Sequence, residues 1–190
     1  ESYLTKLSVK LTSAGYGGPV FIMLSHGGVA PIAEATRLAA STVLSGPAGG
    51  VAGSRHAAIL AEAPDLVTFD MGGTSTDIAL ITGGQAELGS ERRIAGEFVA
   101  MPSLDIVTLG AGGGSIARLD AGGVLRVGPE SAGANPGPAC YGRGGREPTV
   151  TDANLVLGLL DPASFLDGRM SLDVKAAEAA IDRLADGLGL

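Results

Sequence analysis

Residues 70–77 form the stretch Asp-Met-Gly-Gly-Thr-Ser-Thr-Asp, which says more about the architecture than any other part of the chain. One apolar run precedes it at 66–69, and another follows at 78–81 before the glycine pair at 83–84. This order predicts a strand, a tight polar loop and a second strand. Because glycines let backbone N–H groups approach an anion closely, we interpret the loop as a phosphate-binding hairpin.

The side chains of the hairpin are those of a phosphate and metal site. The hydroxyl groups of Thr74, Ser75 and Thr76 add hydrogen-bond donors, and the flanking carboxylates of Asp70 and Asp77 are suited to a hydrated Mg²⁺ ion. The alternative is an ordinary hairpin whose small polar residues only form a turn. A turn does not need two glycines and three hydroxyl groups between two aspartates, so the pattern favours phosphate binding.

Composition limits the class of protein. The 190 residues are 45% hydrophobic, enough for a substantial core, and we find no apolar run near the roughly 18 residues of a membrane span. The net charge of −7 disfavours nucleic acids and anionic membrane surfaces as partners. A single cysteine, Cys140, excludes an internal disulfide and fits a reducing compartment, so we expect a cytoplasmic protein.

Apolar periodicity predicts alternating helices and strands, and therefore an α/β fold. We expect a buried strand at 20–24 and an alanine-rich helix of about 14 residues that starts at Ser45, within the usual helix length. Further segments are expected as strands at 106–109 and 124–127, a brief helix at 111–117, a long ordered loop at 128–148, and helices that start near Asp152 and Asp173.

A second glycine-rich block, Gly-Ala-Gly-Gly-Gly-Ser-Ile-Ala, occupies residues 110–117. It contains the dinucleotide fingerprint G-x-G-x-x-A. A dinucleotide fold also needs a full crossover helix, whereas the glycine pair at 122–123 would end the helix after about two turns. A mononucleotide-binding turn, with its backbone packed against a base or ribose, explains the block more economically.

Taken together, these motifs resemble those of the hydantoinase A/5-oxoprolinase family, and the resemblance covers nearly the whole chain. The family includes ATP-dependent N-methylhydantoinases, 5-oxoprolinases and related subunits of acetone and acetophenone carboxylases. The matching segments are Leu-Ser-Gly-Pro-Ala-Gly-Gly-Val at 44–51, the hairpin at 69–77, the block at 110–117, and the segments 127–134, 136–142 and 148–154.

The resemblance implies a fold, a reaction and cofactors. The fold would be that of the actin-like ATPases, which is ribonuclease H-like. The reaction would be the ATP-dependent opening of a hydantoin or lactam ring, with ATP and Mg²⁺ as cofactors and a small cyclic imide or lactam as substrate. The alternative is an ATP-binding subunit of an acetone or acetophenone carboxylase complex. A second subunit of the hydantoinase B type is an implied partner.

The resemblance also implies roles for residues of both glycine-rich loops. Asp70 and Asp77 would be catalytic, holding Mg²⁺ through water or orienting the water itself. The remaining residues would bind the nucleotide: Gly72, Gly73, Thr74 and Ser75 at the β- and γ-phosphates, Thr76 in the same loop, and Gly112, Gly113, Gly114 and Ser115 at the ribose or adenine.

One family motif has no counterpart in this chain. Parent proteins of the family carry an earlier Asp-x-Gly-Gly-Thr hairpin, the first phosphate loop, whereas the glycine pair at 27–28 follows Ser25 and His26. We therefore expect residues 1–190 to be one domain, the second lobe of a two-lobed ATPase. Without the first lobe, such a fragment should bind ATP weakly and be inactive alone.

Four residues have roles that the sequence leaves open. His26 suits a turn or a contact with a substrate or a metal. Cys140 suits packing or nucleophilic attack, although no histidine lies near it in the sequence. Arg143 and Arg146 suit either solvent or an anionic substrate. Two histidines and one cysteine are too few for a closed zinc site, so we expect none.

Overall fold

The computed structural model describes residues 2–94 and 96–190. They contain both helices and strands, which confirms the predicted α/β class. The predicted alternation holds only in part, because the described residues between 66 and 131 form successive strands with no α-helix among them. The residues group into two compact units: unit 1 comprises Glu1–Asp70 and Asp77–Val107, and unit 2 comprises Met71–Thr76 and Thr108–Leu190. The assignment of the chain to a single second-lobe domain stays a prediction.

Unit 1 contains most of the strands. Three of them, β3, β4 and β10, extend by one or two residues into unit 2. The helices of this unit are α1 (Ser2–Ser13), α2 (Ile32–Arg37), a 3₁₀ turn at Ala39–Thr42, and α3 (Ser45–Leu60). The strands are β1 (Phe21–Met23), β2 (Val29–Pro31), β3 (Leu66–Met71), β4 (Thr76–Thr82), β5 (Gln85–Ala86), β6 (Leu88–Gly89), β7 (Arg92–Ile94), β8 (Glu97–Val99), β9 (Ser103–Leu104) and β10 (Val107–Leu109).

The core of unit 1 lies between helix α3 and one face of a sheet. Strand β4 lies between β3 and β10, and β5 pairs with β4. Small residues on one side of α3 pack against the sheet, so the helix approaches closely. This core consists of Ala48, Val51, Ala79, Ile81, Leu104 and Ile106.

Strands β3 and β4 alternate between buried and exposed residues over 67–69 and 79–82, as half-covered strands do. The Thr68 hydroxyl accepts a hydrogen bond from the Ala79 N–H at 2.9 Å on the buried face. Val67, Phe69 and Leu80 point the other way and are about 60% exposed. The predicted strand, loop and strand are confirmed.

Two predictions for unit 1 have different outcomes. The helix expected at Ser45 is confirmed and has 16 residues; Pro47 lies in its first turn, where a missing N–H breaks no helical hydrogen bond. The strand expected at 20–24 is present as β1, but its burial was predicted wrongly, since Phe21 is 54% exposed. Strand β1 pairs with only one neighbour, β2, and such a ribbon leaves apolar side chains uncovered.

Unit 2 combines a β-hairpin with two helices. Its elements are β11 (Ser115–Leu119), β12 (Leu125–Ser131), a 3₁₀ turn at Ala139–Tyr141, α4 (Val150–Val156) and α5 (Val174–Leu188). Buried Cys140, Leu155, Leu172 and Ala177 form the core where the turn meets both helices. The helix starts predicted near Asp152 and Asp173 are confirmed, since Asp152 lies in the first turn of α4 and Asp173 caps α5.

The brief helix predicted at 111–117 is wrong, because Ser115 starts a strand that pairs with β12. The Asp120 carboxylate accepts hydrogen bonds from the N–H groups of Gly122 and Val124 and so closes the hairpin turn. The loop expected at 128–148 is also shorter than predicted, since β12 continues to Ser131. Among the described residues, no helix combines the length and apolar content needed to cross a bilayer.

Candidate functional site

The two glycine-rich loops of the sequence meet inside unit 2. The N–H of Gly113 donates to the carbonyl oxygen of Gly72 at 2.9 Å, and the N–H of Gly114 donates to that of Gly73 at 2.7 Å. Residues about 40 positions apart are thus joined backbone to backbone. The predicted phosphate loop and the predicted nucleoside turn therefore lie side by side.

Glycine is required at this contact because the backbones approach too closely for a side chain. A Cβ atom at position 112 would lie 2.7 Å from the Gly72 oxygen and from the backbone nitrogens of Thr74 and Ser75. A Cβ atom at Gly114 would lie 2.9 Å from the Gly73 oxygen. These neighbours are main-chain atoms, which cannot move aside as a flexible side chain can.

Buried hydroxyl groups hold the second loop in place. The Thr76 hydroxyl, on a residue that is 1% exposed, donates to the carbonyl oxygen of Ala111 at 2.6 Å. The Ser115 hydroxyl, fully buried, accepts from the Gly112 N–H at 2.8 Å, and the Thr151 hydroxyl donates to the Gly113 oxygen at 2.7 Å. Thr76 and Ser115 therefore stabilise the loops from behind, whereas Thr74 is exposed.

A cavity of about 560 Å³ opens beside the joined loops, within the size range of small-molecule sites. Its lining combines loop backbone with a second wall of larger side chains. The lining residues are Met71, Gly72, Gly73, Thr74, Gly113, Gly114, Gly133, Ala134, Pro138, Tyr141, Thr151, Asn154, Leu160 and Phe165. None of these described residues is charged, so backbone dipoles provide the electrostatic field of the loop wall.

The second wall was not predicted as part of the site. The rings of Tyr141 and Phe165 lie with centroids 5.7 Å apart and tilted by 45°. The guanidinium of Arg143 lies 5.9 Å from the centre of the Tyr141 ring, and it donates to the carbonyl oxygen of Ala134 at 3.3 Å. Tyr141, Thr151 and Asn154 lie in the family motifs 136–142 and 148–154, which could have indicated that they belong to the site. Phe165 lies in no such motif, so the sequence contained no indication of its position there.

A buried carboxylate ties this wall together. Asp152 has no exposed surface and accepts four hydrogen bonds: from the N–H groups of Ala139 at 3.2 Å, Cys140 at 2.8 Å and Thr149 at 3.0 Å, and from the Thr149 hydroxyl at 2.7 Å. Its charge is thus stabilised by donors instead of water. Asp152 links the start of α4 to the turn that carries Tyr141.

Cys140 is a packing residue. Its side chain has no exposed surface, and burial, followed by the hydrogen bond and negative charge of Asp152, raises the pKa of the thiol to about 12. The nucleophile in cysteine chemistry is the thiolate, which such a pKa suppresses near neutral pH. Burial likewise raises the pKa of the Tyr141 hydroxyl above its usual range.

The carboxylates of Asp70 and Asp77 belong to unit 1, where they line a cavity of about 210 Å³ beside helix α3. A Cβ atom at Gly50 of this helix would lie 3.5 Å from the Asp70 Oδ2 atom, an ordinary contact distance. One or two carboxylates suit Mg²⁺, which keeps several water ligands. In the described parts of the chain, no cluster of three or more metal-ligating side chains occurs. The magnesium site stays a prediction.

The remaining candidates lie apart from both cavities or play a local role. His26 Nδ1 accepts a hydrogen bond from the Gly28 N–H at 3.2 Å, as a turn histidine does. The carbonyl oxygen of Arg146 accepts from the Arg183 guanidinium at 2.7 Å. Neither the His26 side chain nor the Arg146 side chain lines the cavity of the glycine-rich loops.

Comparison with known proteins gives the family. The family model described as hydantoinase/oxoprolinase matches residues 1–190. The chain belongs to the hydantoinase/oxoprolinase family. The resemblance found in the sequence motifs is thereby confirmed.

Individual relatives have related activities in their names. The caprolactamase subunit alpha of Pseudomonas jessenii is 42% identical over 189 residues, which are 99% of this chain and 27% of that protein. The 5-oxoprolinase 1 of Arabidopsis thaliana is 44% identical over 177 residues, which are 90% of this chain and 14% of that protein. The chain therefore spans about a quarter or less of these relatives.

Two solved structures have the same fold as this chain over nearly its full length. The ATP-dependent caprolactamase from Pseudomonas jessenii superimposes with a TM-score of 0.79 at 40% identity, over 100% of this chain and 28% of that one. The nucleotide-free structure of acetone carboxylase superimposes with a TM-score of 0.80 at 35% identity, over 98% of this chain and 26% of that one.

Proposed function

We propose that this chain is the nucleotide-binding part of an ATP-dependent enzyme that opens a hydantoin or lactam ring. The observation that carries the proposal is the backbone contact between residues 72–75 and 112–114 beside the 560 Å³ cavity. Membership of the family and the names of the caprolactamase and 5-oxoprolinase relatives support it. The finer fold assignment, the second lobe of an actin-like ATPase, belongs to the same proposal.

Residues 72–75 would bind the β- and γ-phosphates through the backbone N–H groups of residues 73–75 and the Thr74 hydroxyl, while the Gly72 N–H donates to the Ser75 carbonyl oxygen at 2.8 Å and shapes the loop. No lysine or arginine is among the described side chains of the cavity, so the chain offers few cationic groups for the triphosphate charge. Mg²⁺ would supply that charge neutralisation. Asp70 directly precedes the loop segment 71–76 and Asp77 directly follows it, which suits both carboxylates to hold the ion through water.

ATP is needed because an amide resists hydrolysis. Transfer of the γ-phosphoryl group to the amide oxygen would release ADP and make the ring carbon open to attack by water. Water addition, cleavage of the ring C–N bond and loss of inorganic phosphate then give the open-chain acid. Such transfer depends on positioning and electrostatics more than on covalent help from the protein. The rigid glycine-rich loops would supply the positioning.

Calorimetric titration of the full-length protein with ATP and Mg²⁺ tests this proposal. We expect measurable binding by the wild type and clearly weaker binding by Asp70→Asn. Asp182→Asn is the matched control, because Asp182 is exposed on α5 and lies outside both cavities. Absence of binding by the wild type would overturn the nucleotide site. Equal heats for the wild type and Asp70→Asn would overturn the metal role alone.

The second candidate is an ATP-binding subunit of a ketone carboxylase complex. The structural match to acetone carboxylase, with a TM-score of 0.80 at 35% identity, favours it. Release of ADP separates the two candidates. Faster ADP release in the presence of 5-oxoproline, caprolactam or hydantoin supports the hydrolase. Faster ADP release in the presence of acetone or acetophenone together with bicarbonate supports the carboxylase subunit.

The proposal includes partners and a compartment. The caprolactamase relative is named as a subunit, which supports a second subunit of the hydantoinase B type as a partner of this protein. A first ATPase lobe would complete the nucleotide site. The single cysteine, buried with its pKa raised, is compatible with the reducing cytoplasm that we propose as the location.

A further inference from the structure

The cavity beside the joined glycine-rich loops has two walls of different chemistry. One wall is loop backbone, formed by residues 72–74 and 113–114. The other contains Tyr141, Leu160 and Phe165, which pack against the buried core around Cys140. The N–H groups of Gly72, Gly113 and Gly114 are bonded within the protein, so the phosphate donors of the loop wall are the backbone of residues 73–74 and the Thr74 hydroxyl. An aromatic and apolar wall instead suits a flat, uncharged ring.

The aromatic wall is held in a fixed position. Gly137 has a φ angle of +80°, and a Cβ atom there would lie 2.7 Å from Cδ2 of Tyr141, so the backbone lies directly against the ring. Phe165 packs against the same tyrosine, with ring centroids 5.7 Å apart. A rigid aromatic surface of this kind binds a planar ligand without paying much ordering entropy.

Asn154 is a polar side chain of this wall that is available to a ligand. It lies on α4, is half-buried and lines the cavity. No hydrogen bond joins its side-chain amide to any residue that the structure describes, whereas the Thr151 hydroxyl one turn earlier is bound to Gly113. An amide offers one acceptor and a donor group side by side.

We propose that Asn154 recognises the nucleobase and makes the site selective for adenine. The inference rests on the proposed nucleotide site and identifies the part of it that reads the base. The Asn154 carbonyl oxygen accepts from the adenine N6 amino group, and its NH₂ group donates to N7, with the base lying against Tyr141. Asparagine is matched to this edge of adenine, since guanine presents two acceptors there.

The opposite assignment, with the phosphates at Asn154, is disfavoured by charge. Leu160 and Phe165 offer no donor to a triphosphate, and burying its charge against them would be costly. The helix that carries Asn154 is in turn fixed by the four hydrogen bonds to Asp152. The amide is therefore placed by a rigid element, as a specificity-determining group should be.

The test measures dissociation constants of the full-length protein for ATP, GTP and inorganic tripolyphosphate, each with Mg²⁺. For Asn154→Leu we expect ATP binding to weaken about tenfold to a hundredfold, the discrimination of one bidentate amide–base pair. Tripolyphosphate binding should stay within twofold, and the preference for ATP over GTP should disappear. Asn135→Leu is the control, because Asn135 is exposed and does not line the cavity.

A comparison of two ligands tests the proposal on the wild type as well as on the variant. Purine riboside triphosphate, which lacks the N6 amino group, should bind the wild type at least about fivefold more weakly than ATP, since one hydrogen bond is lost. Asn154→Leu should bind both ligands equally. ATP binding unchanged in Asn154→Leu, or a wild type that does not distinguish the two ligands, would overturn the role of Asn154 alone. A wild type that binds neither ATP nor tripolyphosphate would overturn the proposed function as well.

Discussion

The hydroxyl group of Thr76 donates a hydrogen bond of 2.6 Å to the carbonyl oxygen of Ala111. Thr76 lies near the end of the first glycine-rich loop and Ala111 near the start of the second, so one buried side chain joins them. The backbone hydrogen bonds of Gly113 and Gly114 extend this connection. The geometry of the cavity wall therefore depends on a threonine that itself does not line the cavity.

Replacing Thr76 with valine should destabilise this connection. The shape is kept, but the Ala111 carbonyl loses its partner in a part-buried position, which costs about 1–3 kcal/mol. We expect this loss in the free energy of unfolding measured with urea, together with weaker ATP binding. Thr82→Val, on the exposed end of the same strand, should change stability by less than about 0.5 kcal/mol. Equal effects of the two substitutions would contradict the role of the Thr76 hydroxyl.

Gly112→Ala should abolish or greatly weaken ATP binding. The added Cβ atom would lie 2.7 Å from three backbone atoms of the first loop, so the two loops must separate. Gly110→Ala is a stringent control, because no atom lies within 4 Å of a Cβ placed there. Calorimetry of both variants checks the prediction. Retention of wild-type affinity by Gly112→Ala would show that the close backbone contact is not needed.

Asp152→Asn should destabilise unit 2 by more than about 2 kcal/mol. In the wild type, backbone N–H donors face both carboxylate oxygens of Asp152. In the variant, the NH₂ group replaces one of these oxygens, so buried donors are left unpaired. Thermal or urea unfolding measures the loss. The same substitution at exposed Asp182 should leave the midpoint nearly unchanged. Similar midpoints for both variants would rule out a stabilising role for the buried carboxylate.

The thiol of Cys140 should make stability fall in alkaline solution. Its pKa is raised from 9.0 to about 12 in the folded protein, so folding favours the protonated form. That contribution is complete below pH 9 and is lost as the pH rises from about 9 towards 12. Between pH 9 and 11 the wild type should therefore lose more unfolding free energy than Cys140→Ala. Parallel curves for the two proteins would contradict this prediction.

Local patterns in the sequence were sufficient for the first loop but not for the second. The hairpin at 66–82 was predicted because two apolar runs and the polar loop between them lie within one short segment. The block at 110–117 has little intrinsic preference, and its strand exists because residues 115–119 pair with 125–131. That pairing is a tertiary contact, which overrides the local pattern.

The cavity illustrates the same limit. Its loop wall follows from glycine spacing, whereas Phe165 enters only through packing against Tyr141, which lies 24 positions earlier. The supporting roles of Thr76 and Ser115 were also beyond sequence reasoning, because a hydroxyl can face a ligand or the backbone behind it. The sequence was therefore sufficient to predict the loop wall of the cavity, but not the second wall.

The reaction rate of the Cys140 thiol measures how often the core around it opens. It is the single thiol of the chain and has no exposed surface, so a thiol reagent can react only when the core around it opens. The same core supports Tyr141 and Phe165. The labelling rate of Cys140 therefore reports how often the aromatic wall comes apart. A ligand that binds this wall should slow the labelling in proportion to its occupancy.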